Sequence, residues 1–249
     1  MRLSGKTAII TGAAGNIGLA TARAYHREGA NLVLSDLSQE ALEQATTGFA
    51  GERVALVAGD VTEPALQTAL ADAAESRFGK VDIFFGNAGI EGKVATIAEY
   101  ENDVFDKVME VNVRSLFLGL KAISPRMADG GSVILTSSIM GISATPMNIG
   151  YSAAKHAVNG LMRSASTALG PRGIRVNTIH PGLVESAMLR RLINAREDPA
   201  AFEREILAKC KIARFVEPAD IAETVVFLGA DESRMITSQM ICIDAGYIV

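Results

Sequence analysis

Short β-branched runs alternate with longer helix-patterned segments along almost all of this 249-residue chain, and that rhythm constrains the fold more than any other feature. Strands are expected at Thr7–Thr11, Asn31–Ser35, Val54–Ala58, Ile83–Gly86, Val133–Ser137, Arg175–His180 and Met240–Asp244. Helices are expected near Ile17–Glu28, Gln39–Phe49, Glu63–Phe78, Asn102–Met127, Tyr151–Leu169 and Pro218–Leu228. Ser38 suits the cap of the second helix, and Thr62 before Glu63-Pro64 suits the opening of the third. Strands separated by helices pair in parallel through right-handed crossovers. The expected fold is therefore α/β, a Rossmann-like doubly wound parallel sheet of about seven strands with helices on both faces. No linker or longer repeat interrupts it, so one domain spans 1–249.

Composition agrees with a sheet buried on both sides. Hydrophobic residues make up 49% but aromatics only 5%, and there is no Trp, so Ala, Val, Ile, Leu and Gly carry the apolar content. Basic residues are scattered and the net charge is -4, which excludes a nucleic-acid footprint. Cys210 and Cys242 have neither metal spacing nor a disulfide framework and read as reduced thiols of a cytoplasmic protein. The run Ala8-Ile9-Ile10 is too short for a signal peptide. Residues 130–154 carry no charge but are rich in hydroxyls, which fits a dry active site better than a membrane span.

The stretch Leu183–Val216 breaks the rhythm. It has a helical pattern of apolar residues interrupted at Asp198-Pro199, and it follows a strand end, where ligands bind in open α/β sheets. A mobile lid over a substrate is the favoured reading, ahead of an ordinary surface hairpin of helices.

After the first strand, Thr11-Gly12-Ala13-Ala14-Gly15-Asn16-Ile17-Gly18 leads directly into a helix. Glycines there let the backbone turn tightly beside a pyrophosphate seated on the helix N-terminus. Asp36 closes the second strand, 18 residues beyond Gly18, and Leu37 follows it. A carboxylate there accepts from ribose hydroxyls and repels a 2′-phosphate, which points to NAD rather than NADP. Asp60-Val61, after the third strand, falls where an adenine would lie, and Asn87-Ala88-Gly89 closes the fourth with small residues.

Tyr151 and Lys155 are spaced i, i+4 and share one helix face. A phenol with a pKa near ~10 is a poor base at neutral pH, and a neighbouring ammonium favours its ionised form. Ser138 lies 13 residues earlier, at a strand end, where its hydroxyl could hold a substrate oxygen. Asn112 sits within an otherwise apolar helical stretch and, if buried, needs partners; a water towards Lys155 would supply one.

These residues resemble the single-domain short-chain dehydrogenase/reductase family over nearly the whole chain. Its Thr-Gly-x-x-x-Gly-x-Gly corresponds to Thr11–Gly18, its Asn-Asn-Ala-Gly to Gly86–Gly89, its Asn-Ser-Tyr-Lys tetrad to Asn112, Ser138, Tyr151 and Lys155, and its Pro-Gly to Pro181-Gly182. By resemblance, the backbone at Val184 and the Ser186 hydroxyl would hold the nicotinamide carboxamide, and the helices at Asn112–Met127 and Tyr151–Leu169 would pack in a homotetramer, with the tail 247–249 suiting another interface. The chain departs from the family pattern at Asn16, Gly86, Ser186 and Ala245. Asn16 stands in for a glycine and is expected to survive there because Asn tolerates positive φ.

The resemblance implies an oxidoreductase that interconverts a secondary alcohol and a ketone with NAD(H). The substrate would be a small, mostly apolar molecule touching Ser138, Met140, Met147, Leu183, Met188 and Leu192, with Ile90, Glu91 and Ile139 as further wall residues. A 3-oxoacyl-[acyl-carrier-protein] reductase is the alternative within the family, disfavoured by Asp36 because that role goes with NADPH. A non-catalytic dinucleotide-binding redox sensor is the alternative outside catalysis. No metal site is expected. His26 reads as solvated, His156 as turned away from the catalytic face, and His180 as near the site without a chemical role.

Overall fold

The computed structural model describes residues 1–194 and 196–248, with Met188 described by its backbone alone. Seven strands form one parallel sheet: β1 Thr7–Thr11, β2 Asn31–Ser35, β3 Val54–Leu56, β4 Val81–Gly86, β5 Met127–Thr136, β6 Arg175–Pro181 and β7 Met240–Ile243. Their spatial order is β3-β2-β1-β4-β5-β6-β7. The chain winds outward from β1 through β2 to β3, then returns to lay β4 on the other side of β1. The loops leaving β1 and β4 therefore diverge and open a crevice between them.

The helices are α1 Asn16–Arg27, α2 Gln39–Ala45, α3 Pro64–Phe78, α4 Asn102–Met109, α5 Ser115–Ile123, α6 Ile149–Leu169, α7 Ala187–Asn194, α8 Pro199–Ala208 and α9 Pro218–Gly229. Side chains alternate across the sheet with a period of two. Ala8, Ile10, Leu32, Leu34, Ile83 and Phe85 face α1 and α9, whereas Ile9, Val33, Phe84, Val133 and Leu135 face α3, α5 and α6. Each face thus owns a separate apolar layer. On the α9 side the buried guanidinium of Arg175 donates to the carbonyls of Leu228 and Ala230 and to the Ser233 hydroxyl, closing the C-terminus of that helix.

Several boundaries differ from expectation. β5 starts at Met127 rather than Val133, which cuts short the helix expected to reach that residue. That helix is itself divided by a π-turn at Glu110–Arg114. The second helix ends at Ala45, four residues before Phe49, where the Thr46 hydroxyl bonds back to Leu42 C=O. Thr62 does not cap α3: Glu63 holds the cap position, and Thr62 instead donates its N–H and O–H to Asp60. Ser38 caps α2 as expected, accepting from Ala41 N–H. His26 is half-buried rather than fully solvated; it stacks on Phe49 at 4.8 Å and accepts from Ala50 N–H.

Asn16 opens α1 and needs no left-handed backbone; in this loop the positive φ belongs to Gly12 at 67°. Ala245, the other departure from a family glycine, does carry one, at φ 55°. Its carbonyl accepts from both Lys211 and Ile212, and the adjoining Asp244 packs against Gly182 behind the crevice. A left-handed backbone costs a non-glycine residue about 1–2 kcal/mol, partly offset at Ala245 by its half-buried methyl. Ala245→Gly is expected to hold or raise stability by up to ~1 kcal/mol, and Ala245→Val to lower it by ~2 kcal/mol. Chemical denaturation of the three proteins measures this order; a valine variant as stable as wild type would show that the turn is unstrained.

Candidate active site

The crevice floor is tied together by hydroxyl and amide groups. The Thr11 hydroxyl accepts from the N–H groups of Asn87 and Ala88, at 3.0 and 3.2 Å. The Asn87 side chain donates back to the carbonyls of Thr11 and Gly12, and its Oδ1 accepts from the Thr136 hydroxyl. The ends of β1, β4 and β5 are thereby locked in register. A Cβ on Gly12 would lie 2.9 Å from Ala88 Cα, and one on Gly18 would lie 2.0 Å from Gly12 O. Only glycine permits either approach. Gly15 occupies the α1 cap position without a side-chain cap, so the first-turn N–H groups, Ile17 among them, are left to an outside acceptor. Asp36 sits at the mouth of this loop, accepting from Ala14 N–H and Leu37 N–H while the Leu37 side chain stands in solvent. Asp60 is held below the usual carboxylate range chiefly by the Thr62 N–H, and Val61 beside it is buried. These features fit a dinucleotide: a bare helix N-terminus for phosphates and a carboxylate with spare lone pairs for ribose hydroxyls.

At the end of β5, Ser138 is extended and buried. Its Oγ accepts from Met140 N–H at 3.1 Å, so its own proton is free to point elsewhere. Tyr151 and Lys155 project from the first turns of α6, with the lysine Nζ 5.4 Å from the centre of the phenol ring. Burial raises the phenol pKa, the Ser138 hydroxyl draws it back down, and the charge of Glu91 raises it again. Glu91 is half-buried and its own carboxyl is pushed up by burial, against the pull of Arg191 on α7. Lys155 is almost fully enclosed, donates to Thr136 C=O at 2.9 Å, and is pushed down to about 8 by burial.

Asn112 lies inside the π-turn and is fully buried. Its partners are not those expected: Oδ1 accepts from Ile90 N–H and Nδ2 donates to Ile90 C=O, both at 2.8 Å. The side chain thus pins the loop after β4 without needing a water. Its Oδ1 and the Lys155 ammonium both border Gly89, where a Cβ would lie 2.6 and 3.5 Å from them. At Gly86 a Cβ would lie 2.6 Å from Leu116 Cδ2, so a larger residue there would require the Leu116 side chain to move.

Leu183–Val216 forms α7 and α8, with Asp198 capping α8 through Ala201 N–H. Leu189, Ile193, Ile206 and Phe215 make a small core of their own, against which Leu183 and Leu192 pack. Ser186 accepts from Leu189 N–H at the start of α7, while Val184 pairs with Val216. Pro181 ends β6, and Gly182 N–H donates to Ile243 C=O. Met140 is half-buried two residues after Ser138, and Met147 and Ile90 are both exposed. The Met188 side chain and Val249 fall outside the described residues. Among the described residues there is no cluster that could hold a metal and no helix long and apolar enough to cross a membrane.

A family model described as Enoyl-(Acyl carrier protein) reductase matches residues 12–248. The 3-alpha-(or 20-beta)-hydroxysteroid dehydrogenase of Mycobacterium tuberculosis is 35% identical over 249 residues, covering 99% of this chain and 91% of that protein. The 3-oxoacyl-[acyl-carrier-protein] reductase of Thermotoga maritima is 32% identical over 254 residues, covering 100% of both. The crystal structure of levodione reductase superposes with a TM-score of 0.92 at 36% identity, over 98% of each chain. The chain belongs to the short-chain dehydrogenase/reductase family.

As an oxidoreductase of this family, it gathers Asn112, Ser138, Tyr151 and Lys155 around the end of β5 and the start of α6. Sequence reasoning missed the brace through Thr11, Asn87 and Thr136, the π-turn, and the backbone of Ile90 as partner of Asn112. It also gave no part to His180, which is buried against Ser138.

Lys155 is the costliest group in the site. Below pH 8 the folded chain must bury an ammonium that the unfolded chain keeps in water; between 8 and 10.5 the folded state loses this proton first and the cost fades. Lys155→Met is therefore expected to raise the unfolding free energy at pH 7 by ~1–3 kcal/mol, the gain vanishing as the pH approaches 10.5. Urea denaturation at several pH values measures it; a difference that does not change with pH would refute the titration.

Proposed function

We propose that this short-chain dehydrogenase/reductase interconverts a secondary alcohol and a ketone using NAD(H), with Tyr151 as the acid/base. The observation that carries this reading is the placement of a free serine proton, a phenol and a buried ammonium together at the edge of the crevice. The nicotinamide cofactor supplies or accepts the hydride at the carbinol carbon. Ser138 donates its free O–H to the substrate oxygen. Tyr151 gives a proton to that oxygen in reduction and takes it in oxidation. Lys155 spends one donor on Thr136 and keeps two, one for a ribose hydroxyl and one to favour the phenolate. Asn112 Oδ1, with one lone pair on Ile90, retains another for a relay water towards Lys155.

Asp36 supports NAD over NADP, since its fixed carboxylate would repel a 2′-phosphate. The exposed apolar side chains of Ile90 and Met147 support a mostly apolar alcohol, and a relative named for hydroxysteroids agrees with that choice. Glu91, half-buried and felt by Tyr151, disfavours an anionic substrate. In this reading α7 and α8 cover the substrate as a lid. A cytoplasmic homotetramer built on α5 and α6 follows from the family resemblance.

Paired fluorescence titrations with NADH and NADPH test the cofactor. NADH is expected to bind more tightly, and Asp36→Ala to narrow the gap; tighter NADPH binding in wild type would refute the reading. With NAD+ and a panel of cyclic secondary alcohols, Tyr151→Phe is expected to lower kcat at least ~100-fold while leaving NADH affinity intact. Equal turnover by the two proteins would remove Tyr151 from the chemistry.

A further inference from the structure

We propose that His180 is a positioning residue for Ser138, acting as a neutral imidazole that carries its proton on Nδ1. This inference rests on the reading of Ser138 as the group that holds the substrate oxygen.

His180 is the penultimate residue of β6 and is completely buried. Its Nδ1 lies 2.7 Å from Ser138 O. A carbonyl oxygen only accepts, so the proton of that bond belongs to Nδ1. On the other side, Nε2 lies 2.9 Å from the Thr178 hydroxyl, two residues back on the same strand face. With Nδ1 protonated, Nε2 is the acceptor and Thr178 the donor. Burial lowers the imidazole pKa; the bond to the Ser138 carbonyl raises it, the positive charges of Lys155 and His156 lower it, and the net shift is downward, towards the neutral ring. Both ring nitrogens are used, and one tautomer alone satisfies both partners.

The Ser138 carbonyl also accepts from Gly141 N–H at 2.8 Å, and Ser137 N–H is anchored to Ile179 C=O at 2.9 Å. Ser138 Oγ accepts from Met140 N–H. The serine is thus fixed by donors on its carbonyl and on its hydroxyl oxygen, and the one remaining freedom is the direction of its own proton. Of these anchors, only His180 is a side chain, and it reaches across from β6 to the end of β5. Removing it leaves Thr178 Oγ1 and one carbonyl lone pair facing a hole, and lets the turn at Ser138 shift. Near a reacting centre a displacement of ~1 Å can cost about 100-fold in rate.

Two measurements separate this role from simple packing. The first needs no substrate: nitrogen-15 NMR of the imidazoles should show His180 as the neutral Nδ1–H tautomer through neutral pH. A His180 signal from the Nε2–H tautomer or from an imidazolium would overturn the proposal. The second is a kinetic cycle of wild type, His180→Ala, Ser138→Ala and the double variant, with cyclohexanol and NAD+ as the probe. His180→Ala is expected to lower kcat by roughly 10–100-fold with NADH affinity unchanged, and to have almost no further effect once Ser138 is alanine. His180→Asn, which keeps an N–H donor of similar reach, should recover part of kcat. Equal losses from His180→Ala in both serine backgrounds, or failure of asparagine to recover any rate, would assign His180 to packing. If His180→Ala does not fold, His180→Leu fills the space without offering a donor to the Ser138 carbonyl; an unaltered kcat would then overturn the proposal. If wild type turns over none of the alcohols, the alcohol–ketone reading falls, while the tautomer experiment still decides the clamp.

Discussion

Asn87 holds the site together before any ligand arrives. Three strands end at the crevice, and parallel strands have no tight turns at that end to keep them in register. Asn87 supplies the missing link: its amide donates to the carbonyls of Thr11 and Gly12, and its Oδ1 accepts from Thr136. Thr136 passes the connection on, because its carbonyl receives the Lys155 ammonium. Hydrogen bonds thus link the glycine loop of β1, through Asn87 and Thr136, to Lys155 on α6.

The same region is where stability is given up. A lysine with its ammonium enclosed, a helix widened into a π-turn at Asn112, and a left-handed alanine behind Gly182 each oppose the folded state. The rest of the protein has separate apolar layers on the two faces of the sheet and caps such as Ser38 and Asp198. It too carries unfavourable features, among them a left-handed Ser238 and buried polar atoms of Thr7, Thr21 and Gln67 without a hydrogen-bond partner. What sets the crevice apart is that its unfavourable groups include an ionisable one, the enclosed Lys155.

Strands β1 and β2 match the sequence expectation at both ends because Gly, Ser or Asp residues bound short runs with both faces buried. The π-turn left no trace in the pattern, since one extra residue within a long apolar stretch hardly alters its periodicity. The early start of β5 was masked in the same way: Asp129-Gly130-Gly131 reads as a turn, yet Val81 pairs with Met127 and the register shifts before Ile83. The tetrad was legible because four residue types with separate chemistry recur at known positions. The partners that orient them were not, because they arrive from distant segments: Ile90 on Asn112 across 22 residues, and His180 on Ser138 across 42. A backbone N–H or carbonyl has no residue type to announce it. For His180 a signal did exist, in a histidine two residues after a threonine at the end of a buried strand, but that pattern does not distinguish a clamp from a packed ring.

The electrostatics of the bare site favour one protonation state of the proposed acid/base. Burial and Glu91 both hold Tyr151 as a neutral phenol, and the Ser138 hydroxyl alone opposes them. A neutral phenol beside a serine donor is ready to deliver a proton to a carbonyl oxygen, so the reductive role needs no rearrangement of charge. The reverse role needs a phenolate, and the nearest source of stabilisation is the Lys155 ammonium. That ammonium is itself held near a pKa of 8, so raising the pH to ionise the phenol also discharges the group that supports it. Positive charge brought into the crevice by a bound partner relieves both constraints on Tyr151, although it presses Lys155 further towards neutrality. In the proposed reaction, base catalysis by Tyr151 is therefore tied to occupancy of the neighbouring crevice, whereas acid catalysis is built into the protein.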